Sequence, residues 1–225
     1  MGFWSRVKKI FGQGSWSAAD DRWYAPMIGL ETNAGSRVDQ NSAMNIPAVW
    51  ACIRIIAESI GSLPLHLYTR QGRGKNRAVN HPLYLLLHDR PNPEMTAMAF
   101  RETMAAHVLA WGNAYAEKEL DQLGRVKALW PIGPDRVEPM RDMDTNEIFY
   151  KVRLENSGMT QDIPRDRMLH IPGLSYNGLV GYSPIAKMRE AIGLALATEE
   201  FGARFFGAGT HPGLIVSHPG KLGEI

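Results

Sequence analysis

A single cysteine, Cys52, stands among 225 residues, which excludes an internal disulfide and any cysteine-rich zinc site. That usage suits a reducing cytoplasm, and the place of Cys52 inside an apolar run reads as a small buried hydrophobe. No uncharged apolar stretch approaches the roughly 18 residues of a membrane-spanning helix, so no membrane partner is expected. A surplus of one charge sign is missing too. Lys and Arg number 25 against 23 Asp and Glu, a formal net charge of +2. Strong nucleic-acid binders carry a clustered basic excess, so bulk charge does not place the chain in that class.

Motifs of enzymatic chemistry are equally scarce. The histidines His66, His81, His88, His107, His170, His211 and His218 are scattered. None of them form the HExxH spacing that puts two ligands and a base on one helical face, so no metal site is assigned. GLSYNG, from Gly173, resembles a hydrolase nucleophile elbow around Ser175, but Asn177 stands where the second glycine belongs. DMDTNE, from Asp142, opens like a calcium loop, yet Glu147 replaces the turn glycine and Arg153 replaces the twelfth-position acid. Neither GRGKNR nor GAGTHPG has the spaced Gly, Lys and hydroxyl residues of a phosphate loop. No catalytic residue, metal ligand or cofactor is therefore assigned.

What the sequence does contain is a series of well-punctuated elements. Asn45 to Leu63 reads as a helix, started by Pro47 and stopped by Gly61 and Pro64. Val49, Ile53, Ile56, Ile60 and Leu63 recur along one face, and Arg54 and Glu58 are its only charges, so cover on nearly every side is expected. A strand from Leu65 to Tyr68 follows, with a turn at Gly72 and Gly74, and Pro82 begins a short helix that Pro91 and Pro93 end. Thr96 caps a second long helix with Phe100, Met104, His107, Val108 and Trp111 on one side and Gly112 as its terminator. Tyr115 to Trp130 is a hairpin turning at DQLG; Ile148 to Leu154 and Met168 to Ile171 are further strands. Pro184 opens a last helix carrying Ile185, Met188, Ile192 and Leu196 to about Gly207 and Gly209. GLIVSHPGKLGEI begins one more strand. The pattern predicts an α+β fold, a small and mostly antiparallel sheet flanked by helices.

Two groups of residues lie outside that pattern. Arg70, Arg73, Lys75 and Arg77 form a basic cluster with no acid among them, either a solvated hairpin tip or a contact for phosphate or an acidic partner. Residues 1–44 mix Gly, Ser, Asp and Asn without a sustained period and read as a flexible arm, on which Trp16, Trp23 and Tyr24 are candidate anchors for a neighbouring subunit. At its start Met1 to Gly12 has a basic amphipathic character, and Arg6 occupies the place where a myristoylation signal needs Ser or Thr.

The ordered landmarks VWACIRIIAESIGSLPLHLY, HPLYLLLHDRPNPEMTAMAF, WGNAYAEKELDQLGRVKALWPIGPDRVEP, RMLHIPGLSYNGLVGYSPI and ATEEFGARFFGAGTHPGLIV resemble HK97-type phage portal proteins over residues 45 to 217. The resemblance implies a wing-like domain over 45–225, with the clip, the channel helix and the remaining C-terminal part of the family pattern absent before Ile225. It further implies a non-enzymatic ring subunit, usually one of twelve copies, at one vertex of the capsid. Implied partners are the terminase, the major capsid protein, head-tail connector proteins, and double-stranded DNA passing without sequence specificity. The implied location is the virion, and the host cytoplasm during assembly. The competing expectation is a nuclease or protease of the packaging or maturation apparatus, which would need an acid pair or an activated nucleophile.

Overall fold

The computed structural model describes residues 16–17, 32–155, 158–175 and 177–209, with 16–17 as backbone alone. In chain order its elements are β1 (Trp16–Ser17), α1 (Gln40–Met44), α2 (Pro47–Ser62), β2 (Tyr68–Gln71), β3 (Gly74–Arg77), α3 (Pro82–His88) and α4 (Ala97–Trp111). Then come β4 (Asn113–Leu120), β5 (Val126–Ile132), β6 (Val137–Arg141), β7 (Ile148–Arg153), β8 (Thr160–Pro164), β9 (Met168–Pro172), α5 (Pro184–Lys187) and α6 (Arg189–Gly207). The expected mixture of helices and antiparallel strands is present.

Helix ends follow local chemistry. Pro47 opens α2 where a missing N–H costs nothing. Thr96 Oγ1 accepts from Ala99 N at 3.2 Å to start α4, and Gly112, at φ 81°, ends it in the left-handed conformation. Asp39 and Ser42 form a reciprocal capping box at α1: Ser42 N donates to Asp39 Oδ1 at 2.7 Å, and Asp39 N donates to Ser42 Oγ at 2.8 Å. This helix lies among the residues assigned above to the arm. There the structure buries Val38 and Ala43 against Ile53, Ala110, Ile185 and Ile192.

Helix α4 is the centre of the molecule. One flank, Phe100, Met104 and Val108, packs on Ala114, Ala116 and Leu129 of β4 and β5. The other, Ala106, Leu109, Ala110 and Trp111, packs into the cluster around Val38, Ile53 and Ile192. A helix covered on two sides has little amphipathic contrast to show in its sequence. A third core, containing Tyr115, Ile132, Val137, Ile148, Tyr150, Val152, Ile163 and Met168, lies between two layers of strands.

In place of one sheet, the described residues form three: β1-β6-β7-β8, β5-β4-β9 and the hairpin β2-β3, all antiparallel. The chain changes sheet at two similar corners. Pro134–Arg136 is a single 3-10 turn between β5 and β6, and Arg165–Arg167, just after Pro164, is another between β8 and β9. Pro164, the last residue of β8, has no N–H to give the ladder, and Pro134 opens the first turn, where a missing N–H is tolerated.

Four further expectations are corrected. Of the five apolar residues expected on the covered face of α2, only Ile53 is buried. The buried stripe is Ile53, Ala57 and Gly61, while Ile56, Ile60 and Leu63 are 43, 46 and 66% exposed. Small residues draw α2 onto α4: a Cβ on Gly61 would lie 3.1 Å from Glu102 Cβ. That close approach turns the larger aliphatic side chains outward. Cys52, expected to be buried, is exposed beside them. The strand expected from Leu65 starts at Tyr68 instead, where Arg77 first supplies a cross-strand partner. The last helix is two, interrupted at Met188, whose ψ of 12° leaves the helical range.

Candidate functional site

The basic cluster lies on the β2-β3 hairpin, and register decides which side chains meet. Tyr68 pairs with Arg77, Thr69 with Asn76, Arg70 with Lys75 and Gln71 with Gly74. Because successive residues of a strand alternate sides, Tyr68, Arg70, Lys75 and Arg77 share one face, and Thr69 and Asn76 occupy the other. Arg73 sits in the turn at the tip. Every strand residue of the hairpin is exposed. Lys75 Nζ lies 4.9 Å from the Tyr68 ring centroid, a cation–π contact across the diagonal. Among the described residues, no acid comes within ion-pair distance of the four cations. Arg70 and Lys75 are directly opposite each other, an arrangement that disfavours the hairpin.

A ladder of rings seats the hairpin on α3. His66 meets Tyr68 edge-on at 6.4 Å and stacks on His88 at 4.8 Å, which in turn stacks on Tyr84 at 5.0 Å. Desolvation, followed by the nearby charge of Arg77 and of His88, pushes the His66 pKa down. His88 Nδ1 lies 2.7 Å from Asp89 Oδ1. The sequence showed the four cations but not Tyr68 as their companion. The signal available was the symmetry of Tyr68 and Arg70 with Lys75 and Arg77 about Gly72 and Arg73.

A second constellation joins two of the sequence landmarks, WGNAY and VGYSP. The backbones of Gly112 and Gly181 touch so closely that a Cβ on Gly181 would lie 2.0 Å from the Gly112 carbonyl oxygen. Gly173 N donates to that same oxygen at 2.8 Å. Asn113, buried beside them, brackets Gly181 with its amide, and this fixes which amide atom is oxygen. His170 Nε2 must then donate to Asn113 Oδ1, at 3.1 Å, leaving Nδ1 to accept from the Tyr150 hydroxyl at 3.2 Å. This neutral tautomer suits its surroundings: desolvation, with a contribution from Arg165, pushes the His170 pKa down to about 4. Tyr115 stacks on His170 at 4.5 Å, and burial raises its phenol pKa. The network is a structural clasp that ties β4, β9 and the loop before α5 together.

The remaining sequence candidates are accounted for locally. Asp142 Oδ1 accepts from Asp144 N at 2.8 Å and Thr145 N at 2.9 Å, so its carboxylate closes its own turn. Ser175 Oγ bonds to Asn177 Oδ1 and accepts from Gly178 N within an exposed loop. Among the described residues, no group of three His, Cys, Asp or Glu is placed to hold a metal, and no helix is long and apolar enough to cross a membrane. Of the arm residues, Trp16 contributes backbone to β1, opposite Arg141. Trp23, Tyr24, Met1 to Gly12 and the strand expected at GLIVSHPGKLGEI lie outside the described residues.

Among the described residues, two groups of apolar side chains stay exposed. Ile56, Ile60 and Leu63 form a ridge along α2 with Cys52 beside it, and Leu194, Phe201, Phe205 and Phe206 are exposed on α6. Clusters of exposed apolar side chains mark surfaces that pack against something else.

Comparison with known proteins gives these features a context. A family model described as phage portal protein matches residues 47–225. The chain is 33% identical over 244 residues to the probable portal protein of Streptomyces phage phiC31, covering 100% of this chain and 51% of that protein. With the portal protein of Enterobacteria phage HK97 it shares 29% identity over 233 residues, covering 98% of this chain and 52% of that one. It therefore spans about half the length of these relatives. A chain in the solved neck of an empty GTA particle superposes with a TM-score of 0.64 at 22% identity, over 76% of this chain and 47% of that one, a likeness of fold. By the extent of the family match and the identity to the phiC31 protein, the chain belongs to the phage portal protein family, of the HK97 type.

Proposed function

We propose that this chain is the wing-side part of a portal subunit, with residues 45–225 as the wing-like unit. Copies close into a ring, of twelve as is usual in the family, at one vertex of the capsid. The ring conducts double-stranded DNA inward during packaging and outward at ejection, and serves as the docking platform for the terminase. The major capsid protein and head-tail connector proteins are its other partners. It resides in the virion after assembly in the host cytoplasm, and it contributes no catalytic step.

The observation that carries this reading is the family match across 47–225. The structure supports it in a specific way. The α2 ridge and the α6 aromatics are what a subunit needs if neighbours, or the rest of its own chain, are to cover it. Trp16, Trp23 and Tyr24 serve as further anchors of a subunit contact, supplied by the arm.

Deletion of the gene tests the proposal. Heads assembled without the product should contain no DNA and should regain it when the gene is supplied in trans. DNA-filled, infectious particles from the deletion strain would overturn the reading. Metal-dependent DNA cleavage or peptide hydrolysis by the purified product, lost on a single point substitution, would return the enzyme reading in its place.

A further inference from the structure

We propose that the face of the β2-β3 hairpin bearing Tyr68, Arg70, Lys75 and Arg77, with Arg73 at its tip, is a sequence-independent contact for the phosphate backbone of double-stranded DNA. The inference rests on the portal reading for its choice of polyanion, and on the hairpin itself for the site.

The first argument is energetic. Arg70 and Lys75 face each other across the ladder, and no acid among the described residues offsets them. Like charges directly opposite weaken a two-stranded ribbon. A ribbon with all its strand residues exposed has little besides the ring ladder and the Lys75–Tyr68 contact to offset that repulsion. The arrangement becomes favourable when an external anion supplies the missing charge. Concentration matters as well: four of the chain's 25 cations lie between Arg70 and Arg77, although the whole chain carries only +2.

The second argument is geometric. Residues two apart on a strand are spaced about 6.8 Å, twice the rise per residue, and phosphates on one DNA strand advance by about 3.4 Å along the axis. Lys75 and Arg77 are thus one such step apart on β3, with Arg70 directly opposite Lys75, a spacing on the scale of neighbouring backbone phosphates. A two-stranded ribbon is also narrow enough to lie along a major groove. Arginine, three of the four cations, offers a planar fork that grips phosphate oxygens in pairs. Lys75 is held over the Tyr68 ring, which limits the freedom it must give up on binding. The Tyr68 hydroxyl adds a further phosphate donor.

An acidic protein would satisfy the charges, but the face lacks what protein interfaces use. Their buried centres are apolar and depleted in lysine. Here the cations share their face with one tyrosine and no aliphatic side chain. Stacking of single-stranded bases asks for successive aromatic platforms, and only one ring is present. Exposed cations also form salt-screened contacts, which let a duplex slide past.

The experiment uses the complete gene product and a fluorescein-labelled 30-base-pair duplex of mixed sequence, read by anisotropy between 50 and 200 mM KCl. The Arg70→Ala, Lys75→Ala, Arg77→Ala triple variant should bind at least about tenfold more weakly at 50 mM KCl, with a salt slope shallower by about 2 to 3. A second duplex of scrambled sequence should behave like the first. The thermal midpoint of the variant should be unchanged or raised, since a repulsive pair has been removed, and this separates loss of contact from loss of fold. Unchanged affinity and slope in a folded variant would overturn the proposal. Displacement of the duplex by polyglutamate at equal charge concentration would also overturn it, in favour of an acidic protein partner. Rings that bind DNA equally with and without the three cations would sink this inference alone. Hairpin-dependent DNA binding by a protein that forms no ring would sink the portal reading alone.

Discussion

The side-chain amide of Asn113 pairs with both backbone groups of Gly181: Gly181 N donates to Asn113 Oδ1 at 2.8 Å, and Asn113 Nδ2 donates to the Gly181 carbonyl oxygen at 3.0 Å. One side chain thus acts as a strand partner across 68 residues of sequence. It fixes the loop before α5 to the first residue of β4. Ser183 Oγ completes the clasp by donating to the Ala110 carbonyl oxygen at 3.1 Å.

Asn113→Ala leaves the Gly181 N–H and carbonyl and the His170 Nε2–H buried without those partners. Leaving one buried polar group unsatisfied costs about 1–3 kcal/mol and three groups lose a partner, so the variant should lose at least about 3 kcal/mol in urea unfolding. Asn113→Asp keeps the acceptor and loses the donor, and should also be destabilised because it places a carboxylate against the Gly181 carbonyl. A midpoint for Asn113→Ala within error of the parent would contradict this account of the clasp.

Close approach and backbone conformation make two glycines respond differently. In Gly181→Ala the new Cβ meets the Gly112 carbonyl oxygen at 2.0 Å, with backbone on both sides. The variant should therefore fail to fold or unfold at much lower urea. Gly124, at φ 75° in the β4-β5 turn, has nothing within 4 Å of an added Cβ, so Gly124→Ala should cost only the left-handed conformation, about 1–2 kcal/mol. Equal costs for the two, measured by the same urea titration, would refute the close contact.

Acidification should weaken the fold through His170. Its folded pKa of about 4 lies below the ordinary 6.5, so the unfolded chain takes up the proton first. Stability is complete above about pH 6.5 and falls as the pH drops toward 4. Between pH 7.5 and 5 the expected loss is about 2 kcal/mol. Burial lowers the His107 pKa too and adds in the same direction. His170→Gln should flatten the profile in this window while lowering stability at pH 7.5. An unchanged slope would remove His170 as its source.

Cys52 provides a reporter for the uncovered ridge of α2. In the separate chain its thiol is exposed and should react with a maleimide at the rate of a free cysteine. In the assembled complete product it should react at least about tenfold more slowly, because a neighbour or the rest of the chain lies over Ile56 and Ile60. Equal rates in the two states would mean that the ridge remains open in the assembly.

Much of the architecture was legible where one residue type sets an element boundary. Pro47, Thr96 and Gly112 marked the ends of α2 and α4, and DQLG marked the β4-β5 turn. Of the strands that escaped notice, β6 and β8 did so for different reasons. Pro139 inside β6 argues against a strand, and β8 is polar except for Ile163, because only one residue of it reaches the core. Periodicity on α2 located an apolar face without saying what lies over it. Helix packing followed Ala57 and Gly61, the small residues, and left the larger ones outward. At the hairpin the four cations were visible, but their shared face depended on register, which sequence alone did not supply. The Asn113 clasp joins residues too far apart in sequence for any local pattern to reveal.

Negative-stain electron microscopy of the complete gene product tests the central claim most directly. The account predicts closed rings with a central hole wide enough for a DNA duplex. A strictly monomeric particle at high protein concentration would contradict it.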